Sequence, residues 1–272
     1  MIKVDREFEI VNQDKINQGK KQAYSHRVAS GIHGFDALIN GGMLRGRTYL
    51  LAGPPGTGKT IFGIQYIYNG AKIYGENGIY VTFEETPDQL RRDMLHFGWD
   101  LGKLENTRQL ILVDASSARI GLSSQENYIV HRPFTLDSLL SDIDKNIETI
   151  DARRIVIDCL DAAELHAKSS EEYRRYVFRL SAILKTLECT SLLISESPGD
   201  GRISRYGVEE YVTDGIIYLS STLEENRRIR KVEVVKARGT SHSQTVEEFE
   251  ITSNGIEVQM YRTRDRALKR LS

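Results

Sequence analysis

The segment GPPGTGKT, at residues 53–60, has the residue types and spacing of a phosphate-binding loop. The apolar run TYLLA precedes it and the helical run IFGIQYIYNGA follows it, as this strand–loop–helix motif requires. Backbone N–H groups of such a loop and the N-terminus of its helix supply fixed positive potential for phosphates. We expect phosphate contacts from Gly53, Pro55, Gly56, Thr57, Gly58, Lys59, Thr60 and Ile61.

Two further features would complete a nucleotide site of this kind. Lys59 is placed to reach the β- and γ-phosphates, and the hydroxyl of Thr60 to ligate Mg²⁺. The mostly apolar run RIVID ends in Asp158. In such sites a carboxylate at this position is the second group that holds magnesium, and it acts through water. The sequence therefore predicts ATP as the ligand, with Mg²⁺ held by Thr60 and Asp158.

Two adjacent carboxylates follow another apolar run, in VTFEETP at 81–87. In a parallel sheet this end of the strand faces the phosphates, where a carboxylate can orient and deprotonate a water molecule. Glu84 and Glu85 are therefore candidate catalytic residues, together with Lys59 and Asp158. The spacing does not identify the base, although Glu85 is slightly favoured. The alternative is a pair of glutamates on a solvated turn.

These motifs lie on alternating strand and helix patterns. Apolar runs typical of strands buried on both faces of a parallel sheet stand at 48–53, 78–83, 109–115, 154–160 and 190–196. Helical patterns separate them at about 60–74, 87–97, 135–150 and 171–187. After Asp214, four β-rich runs predict an antiparallel meander. The expected fold is α/β, a mostly parallel sheet flanked by helices with a C-terminal antiparallel β-meander.

Composition and charge narrow the class of protein. The 272 residues carry a net charge of −1, so no global basic field indicates nucleic acid. The apolar runs are too short to span a bilayer and the charged N-terminus does not resemble a secretory signal, so we expect a cytoplasmic protein. The two cysteines form no C-x-x-C pair, which argues against a zinc site. We expect one domain at 26–260, a mobile arm at 1–25 and a basic tail at 261–272.

A pair of cations near the C-terminus lacks an evident partner. In KVEVVKARGTSHS, at 231–243, Lys236 and Arg238 are two residues apart and would project to the same face of a strand. Two adjacent cations repel each other unless an anion lies between them, so the pair is a candidate site for an anion. The alternative interpretation is that the two cations lie on an ordinary solvated edge strand.

The motifs together resemble the single-domain, KaiC-like branch of the RecA-superfamily ATPases, the RadA-paralogue type. The similarity runs from about Val28 to Val258 and is greatest to the first, ATPase repeat of the family's clock protein. Its markers are SGIHGFDALINGG, GPPGTGKT, TFEETPDQL, HFGWDLGKL, RYGVEEYVTDGIIYL and KARGTSHS. The resemblance implies a RecA-like P-loop core that assembles into homo-hexameric rings and slowly hydrolyses ATP, with Mg²⁺, at subunit interfaces.

The resemblance also implies roles for particular residues. Lys236 and Arg238 would be finger residues supplied in trans to the γ-phosphate of the neighbouring subunit's ATP. Thr240 and His242 would contact the nucleotide across the same interface, and His96 would lie near the nucleoside. Glu210 and Tyr211 occupy the positions of the Ser–Thr pair that the family's second repeat phosphorylates, so autokinase activity is not expected.

Three biological roles fit these features. The first is a nucleotide-dependent switch or scaffold for a protein partner, which suits the near-zero net charge. The second is a recombinase-like DNA-repair accessory, in which Arg202, Arg205 and Tyr206 of the segment 197–207 bind single-stranded DNA. A glutamate, Glu196, stands near the place of the recombinases' phosphate-sensing glutamine, which argues against a recombinase-style switch. The third is a motility or signalling ATPase of related fold.

Two segments have no assigned role. The tail carries Arg262, Arg264, Arg266, Lys269 and Arg270, which could contact nucleic acid or an acidic partner or remain solvated. The segment 117–133 is either a partner-binding loop or a disordered one.

Overall fold

The computed structural model describes residues 27–117, 123–130, 135–160 and 169–259. Its strands are β1 (Arg27–Val28), β2 (Met43–Leu44), β3 (Thr48–Gly53), β4 (Gly78–Thr82), β5 (Leu110–Asp114), β6 (Arg154–Asp158), β7 (Thr190–Glu196), β8 (Gly215–Glu224), β9 (Arg227–Ala237), β10 (Glu247–Thr252) and β11 (Gly255–Gln259). Its helices are α1 (Phe35–Leu38), α2 (Lys59–Tyr74), α3 (Pro87–Leu95), α4 (Leu101–Asn106), α5 (Leu136–Ile150), α6 (Ser170–Thr186) and α7 (Glu209–Val212). The predicted arm at 1–25 and tail at 261–272 lie outside the described residues.

Nine of these strands form one sheet, in the order β11-β10-β9-β8-β3-β7-β6-β4-β5. The strands from β8 to β5 are parallel to their neighbours, whereas β8, β9, β10 and β11 pair antiparallel. The predicted fold class, a mostly parallel sheet with an antiparallel meander at the C-terminal end, is therefore confirmed. β1 and β2 form a separate antiparallel pair that the sequence patterns did not predict.

Helices cover both faces of the sheet. α2 and α3 pack on one face, where Phe62, Tyr66 and Leu90 join the buried side chains of the sheet. α5 and α6 pack on the other face through residues such as Ile143 and Val177. Because both faces are covered, each of the five predicted parallel strands is buried almost throughout.

Local sequence signals set the helix ends. α2 begins after Gly58, whose φ of 99° is left-handed, and ends before Gly75, which is also left-handed. α3 begins with a capping box in which the side chains and backbone of Thr86 and Gln89 bond reciprocally, with Pro87 in the first turn. In the described ranges, no helix combines the length and apolar character needed to cross a membrane.

Part of the segment 117–133, which has no assigned role, packs on the domain. Within 123–130, Glu126 pairs with Arg91 of α3 at 2.7 Å, and Val130 is buried. Ile129 forms a bridge with Asp114 at the end of β5. This part of the segment is therefore held against the edge strand of the sheet.

The strand register brings the ends of the parallel strands to one edge of the sheet. Gly53, where the phosphate loop begins, pairs with Glu196 at the end of β7. Thr82, at the end of β4, pairs with Asp158 at the end of β6. In open α/β sheets ligands bind outside this edge, so the candidate residues at these ends belong to one site.

Candidate nucleotide site

The phosphate loop has the backbone geometry that its glycines permit. Gly56 and Gly58 have φ of 74° and 99°, in the left-handed region that favours glycine. The ammonium of Lys59 folds over the loop and donates to the carbonyl oxygens of Gly53, at 2.8 Å, and Pro54, at 3.1 Å. Lys59 is therefore held above the N-terminus of α2, where the helix favours negative charge.

Most of the loop residues predicted from the sequence face one cleft of about 530 Å³. Gly53 and Thr57 do not line the cleft. Thr57 is buried and its hydroxyl donates to the carbonyl of Pro54 at 2.8 Å. The predicted residues that line the cleft are Pro55, Gly56, Gly58, Lys59, Thr60, Ile61, Glu84, Glu85 and Asp158.

A hydrogen-bonded cluster joins the P-loop helix to β6. The hydroxyls of Thr60, at 2.8 Å, and Tyr80, at 2.5 Å, both donate to Oδ2 of Asp158. Burial raises the pKa of Asp158, and the hydrogen bonds from Tyr80 and Thr60 offset part of this rise. The cluster fixes a carboxylate and a hydroxyl side by side at the phosphate end of the cleft.

The oxygen donors of this cluster fit Mg²⁺. Magnesium prefers hard oxygen ligands and is usually bound by one or two protein groups together with water and substrate phosphates. Thr60 and Asp158 offer such oxygens next to the loop that would hold the phosphates. The volume of the cleft also lies within the usual range for small-molecule sites.

Glu84 and Glu85 both line the cleft but differ in their surroundings. Glu84 is exposed, and its Oε1 lies 3.2 Å from the thiol Sγ of Cys159. Glu85 is half-buried, and burial raises its pKa, with the negative charges of Asp158 and Asp93 adding to the rise. A carboxylate with a raised pKa accepts a proton more readily near neutral pH.

An apolar part of the cleft lining was missed by the sequence patterns. It consists of Met94 of α3, Phe97 just after that helix, and Ile251 of β10. Phe97 stacks on Trp99, with ring centroids 5.0 Å apart. The remaining unpredicted lining residues are Asp93, Cys159, Glu196 and Arg230.

His96 does not line this cleft, although its neighbours Met94 and Phe97 do. His96 is the C-cap residue of α3, and it is exposed. Phe97 is the residue of the motif HFGWD that lines the cleft. The side chains that reach the cleft are on either side of the histidine.

Lys236 and Arg238 lie outside the chain's own cleft and meet at α7. Lys236 Nζ donates to the carbonyl oxygens of Glu210, at 2.5 Å, and Thr213, at 2.7 Å. Arg238 donates to the carbonyl of Tyr211 at 3.2 Å. Burial, followed by the charge of Arg238, lowers the pKa of Lys236. The two cations are brought together as predicted, and backbone carbonyls stabilise them.

Thr240 and His242 follow in the same loop and also lie away from the chain's own cleft. The hydroxyl of Thr240 accepts a hydrogen bond from Arg27 at 2.5 Å. His242 is half-buried, with Nδ1 2.9 Å from the carbonyl of Ser243. Arg27 therefore ties the loop after β9 to the start of the domain.

A phosphate loop after the central strand β3, with carboxylates at the ends of β6 and β4 of the same sheet, defines a P-loop ATPase with a RecA-like core. A family model described as "ATPase: KaiC" matches residues 28–263. The chain therefore belongs to the KaiC family. It is 39% identical, over 243 residues, to the circadian clock oscillator protein KaiC of Synechococcus elongatus, and 40% identical, over 230 residues, to that of Parathermosynechococcus lividus.

The matched regions differ in how much of each relative they cover. The alignment to the Synechococcus protein covers 89% of this chain but 46% of that protein, so the chain spans about half the length of the curated relatives it matches. A solved KaiC-like protein from the archaeon Pyrococcus horikoshii superposes with a TM-score of 0.76 and 39% identity. That match covers 86% of this chain and 99% of the archaeal one.

Proposed function

We propose that the protein hydrolyses ATP slowly, at composite sites between the subunits of a homo-hexameric ring, and that the ring is a nucleotide-dependent switch or scaffold for a protein partner. The observation that carries the proposal is the position of Lys236 and Arg238. Both cations are held together by α7, yet neither faces the P-loop cleft of its own chain. A second subunit is needed to bring cations of this kind to a γ-phosphate.

Each subunit's cleft supplies the binding and hydrolytic groups. The loop backbone and Lys59 hold the β- and γ-phosphates, and Thr60 and Asp158 hold Mg²⁺. Glu85 takes a proton from water as the water oxygen bonds to the γ-phosphorus. The bond from phosphorus to the β,γ-bridging oxygen breaks, which leaves ADP and phosphate. The half-buried position of Glu85 at the cleft, where burial raises its pKa, favours Glu85 as the base.

The neighbouring subunit supplies the remaining positive charge. Lys236 and Arg238 approach the γ-phosphate, and Thr240 and His242 contact the nucleotide from the same loop. Charge developing on the phosphoryl oxygens is stabilised by such cations, which increase hydrolysis by several orders of magnitude in related reactions. The carbonyls of α7 keep the two cations close together in the absence of this anion.

Mixing variants tests the composite site. We expect Glu85→Gln and Arg238→Ala each to abolish most ATP turnover while the ring still forms. In randomly mixed rings, about one quarter of the sites take the cleft from the Arg238 variant and the cations from the Glu85 variant, so activity returns to about a quarter of the unmodified rate. Absence of recovery in verified mixed rings would exclude cations supplied in trans.

The protein-partner role is favoured over the DNA-repair role by the segment 197–207. Arg202 is paired with Asp200 at 2.7 Å, which offsets its charge. Tyr206 packs on Tyr173 in a tilted arrangement, with ring centroids 4.7 Å apart, so its ring already has an aromatic partner within the protein. Free arginines and free aromatic faces are what a single-stranded DNA site requires.

A further inference from the structure

Glu209, the first residue of α7, is fully buried and lies outside the nucleotide cleft. Its Oε1 accepts a hydrogen bond from the hydroxyl of Tyr173, on α6, at 2.7 Å. Its Oε2 accepts from the hydroxyl of Ser204 at 2.8 Å and from the backbone N–H of Val208 at 3.0 Å. Burying a carboxylate costs free energy unless donors of this kind satisfy it. Glu209 therefore joins α6, the segment 197–207 and the start of α7 at one point.

The helix α7 depends on such contacts because it is short. It has four residues, and isolated helices of fewer than about 12–15 residues are only marginally stable in water. The hydroxyl of Thr213 donates to the backbone carbonyl of Glu209 at 2.8 Å. The hydroxyl of Ser181, on α6, donates to the carbonyl of Val212 at 3.2 Å. Hydrogen bonds are directional, so these contacts fix the orientation of α7 as well as its position.

The carbonyl oxygens at the end of α7 hold the two cations of the proposed composite site. Lys236 donates to the carbonyls of Glu210 and Thr213, and Arg238 donates to that of Tyr211. The last carbonyls of a helix have no partner within the helix, so side-chain donors can satisfy them. A shift of α7 would therefore displace both cations together.

A β-bulge in β9 directs Lys236 to the side of the sheet where α7 lies. The register against β8 shifts so that Lys236 pairs with Ile216 and Val235 is the extra residue. Bulges re-aim the side chains that follow them. Ile216 packs with Leu50, whereas Leu51, on the opposite face of β3, packs in the core beside α2. Lys236 therefore projects to the face of the sheet that α6 covers.

We propose that Glu209 is a positioning residue for ATP hydrolysis: by fixing α7, it sets the places of Lys236 and Arg238. The action of these cations on the neighbouring subunit's γ-phosphate rests on the proposed function. Cations stabilise the charge of a phosphoryl transition state only from the correct place, and a misplacement of about 1 Å can cost about 100-fold in rate. The buried carboxylate thus acts on the reaction through α7, without touching the nucleotide.

The first test removes one donor to Glu209 and keeps its aromatic ring. We expect Tyr173→Phe to lower kcat about tenfold and to leave the Kd of a fluorescent ATP analogue within about twofold, because the cleft of the same chain is unchanged. Tyr66→Phe is the matched control, since Tyr66 is also buried and its hydroxyl donates to the carbonyl of Thr190 at 3.1 Å. Tyr66 packs on the other face of the sheet.

Thermal unfolding and kinetics of the two variants separate positioning from general stability. Each change removes one buried hydrogen bond, so both should lower the Tm. Only Tyr173→Phe should lower kcat. Equal kcat for Tyr173→Phe and Tyr66→Phe would overturn the proposal.

Amide hydrogen exchange of the nucleotide-free protein tests the route through α7. The backbone N–H of Thr213 donates to the carbonyl of Glu209 at 3.2 Å. We expect this amide to exchange faster in Tyr173→Phe than in Tyr66→Phe, because weaker anchoring lets α7 open more often. A lower kcat without faster exchange at this amide would overturn the route through α7.

Mixed rings test whether the defect lies on the side of the cations. Tyr173→Phe mixed with Glu85→Gln should exceed the average of the two separate rates, because some sites combine an intact cleft with correctly placed cations. Mixed with Arg238→Ala, it should stay at the average, because both changes affect the cations. A rate above the average in this second mixture would overturn the proposal. Failure of the Glu85→Gln and Arg238→Ala mixture would instead reject action in trans, and the kcat of the two tyrosine variants would still decide whether Glu209 positions the cations.

Discussion

The thiol of Cys159 lies 3.2 Å from Oε1 of Glu84, so the residue after Asp158 contacts one of the two candidate catalytic glutamates. Cys159 follows β6 and Glu84 follows β4, and these two strands are neighbours in the sheet. Cys159 is 5% exposed, whereas Glu84 is exposed. The buried thiol therefore holds an otherwise solvated carboxylate at the mouth of the cleft.

This contact predicts an effect of Cys159 on turnover. We expect Cys159→Ala to lower kcat several-fold with little change in the KM for ATP, because Glu84, the neighbour of the proposed base Glu85, loses its donor while the phosphate loop is untouched. Cys159→Ser should retain most of kcat, since its hydroxyl can donate to the same oxygen. Steady-state ATPase kinetics of the two variants measure the difference.

The second cysteine provides the control for this prediction. Cys189 is fully buried and its thiol donates to the carbonyl of Ala152 at 3.3 Å, away from the cleft. Cys189→Ala should leave both kinetic constants unchanged. Equal kcat for Cys159→Ala and the unmodified protein would show that Glu84 needs no positioning by the thiol.

The cluster of Thr60 and Asp158 predicts a dependence on Mg²⁺. Thr60→Ala removes the proposed oxygen ligand of Mg²⁺ and the hydrogen bond to Asp158. We expect it to abolish most of the gain in ATP affinity that Mg²⁺ produces, whereas Thr60→Ser retains the hydroxyl and the gain. Binding of a fluorescent ATP analogue, with Mg²⁺ and with EDTA, measures this gain. The magnesium assignment fails if Thr60→Ala responds to the metal normally.

The fold and much of the cleft could be predicted from the sequence because their signals are local. The apolar runs at 48–53 and 190–196 coincide with β3 and β7, because strands buried on both faces contain few polar residues. The spacing of GPPGTGKT placed Lys59 and Thr60 in the cleft, since the loop and helix are contiguous in the chain.

The missed residues depend on the tertiary arrangement instead. Arg230 and Lys236 are six residues apart, so a regular strand would place both side chains on one face. The bulge at Val235 separates them, and no residue type at that position signals a bulge. Ile251 reaches the cleft only because β10 folds back beside the phosphate loop, and Phe97 because α3 ends there. Pairing between distant segments, rather than local pattern, decides these contacts.

A buried ion pair predicts how stability depends on pH. Arg154 is fully buried and its Nε donates to Oε2 of Glu76 at 2.8 Å. Burial alone would raise the pKa of Glu76, but hydrogen bonds and charges from Arg45 and Arg154 outweigh it and hold the pKa below its usual value. A depressed pKa in the folded state contributes stability above the unfolded pKa of about 4.3. This contribution is lost as pH falls through the folded pKa.

Glu76→Gln should therefore destabilise the protein at neutral pH by about 3 kcal/mol, because it leaves a buried guanidinium without its counter-ion. The difference from the unmodified protein should narrow as pH falls below about 4.3. Asp151→Asn is the control, because its 2.8 Å pair with Arg153 is exposed and asparagine tolerates the left-handed backbone at this position. Thermal unfolding at several pH values measures both. A difference that grows toward acid pH would contradict this account.

The pairing of Arg202 with Asp200 predicts weak binding of single-stranded DNA. With Mg-ATP present, we expect labelled DNA to bind only at low salt and to dissociate near physiological salt, because few free cations face the solvent in the segment 197–207. Asp200→Asn frees Arg202 and should strengthen binding at low salt. Fluorescence anisotropy at two salt concentrations measures both proteins. Tight binding that survives physiological salt in the unmodified ring, and is lost on changing Arg202 and Arg205 to alanine, would instead establish the DNA-repair role.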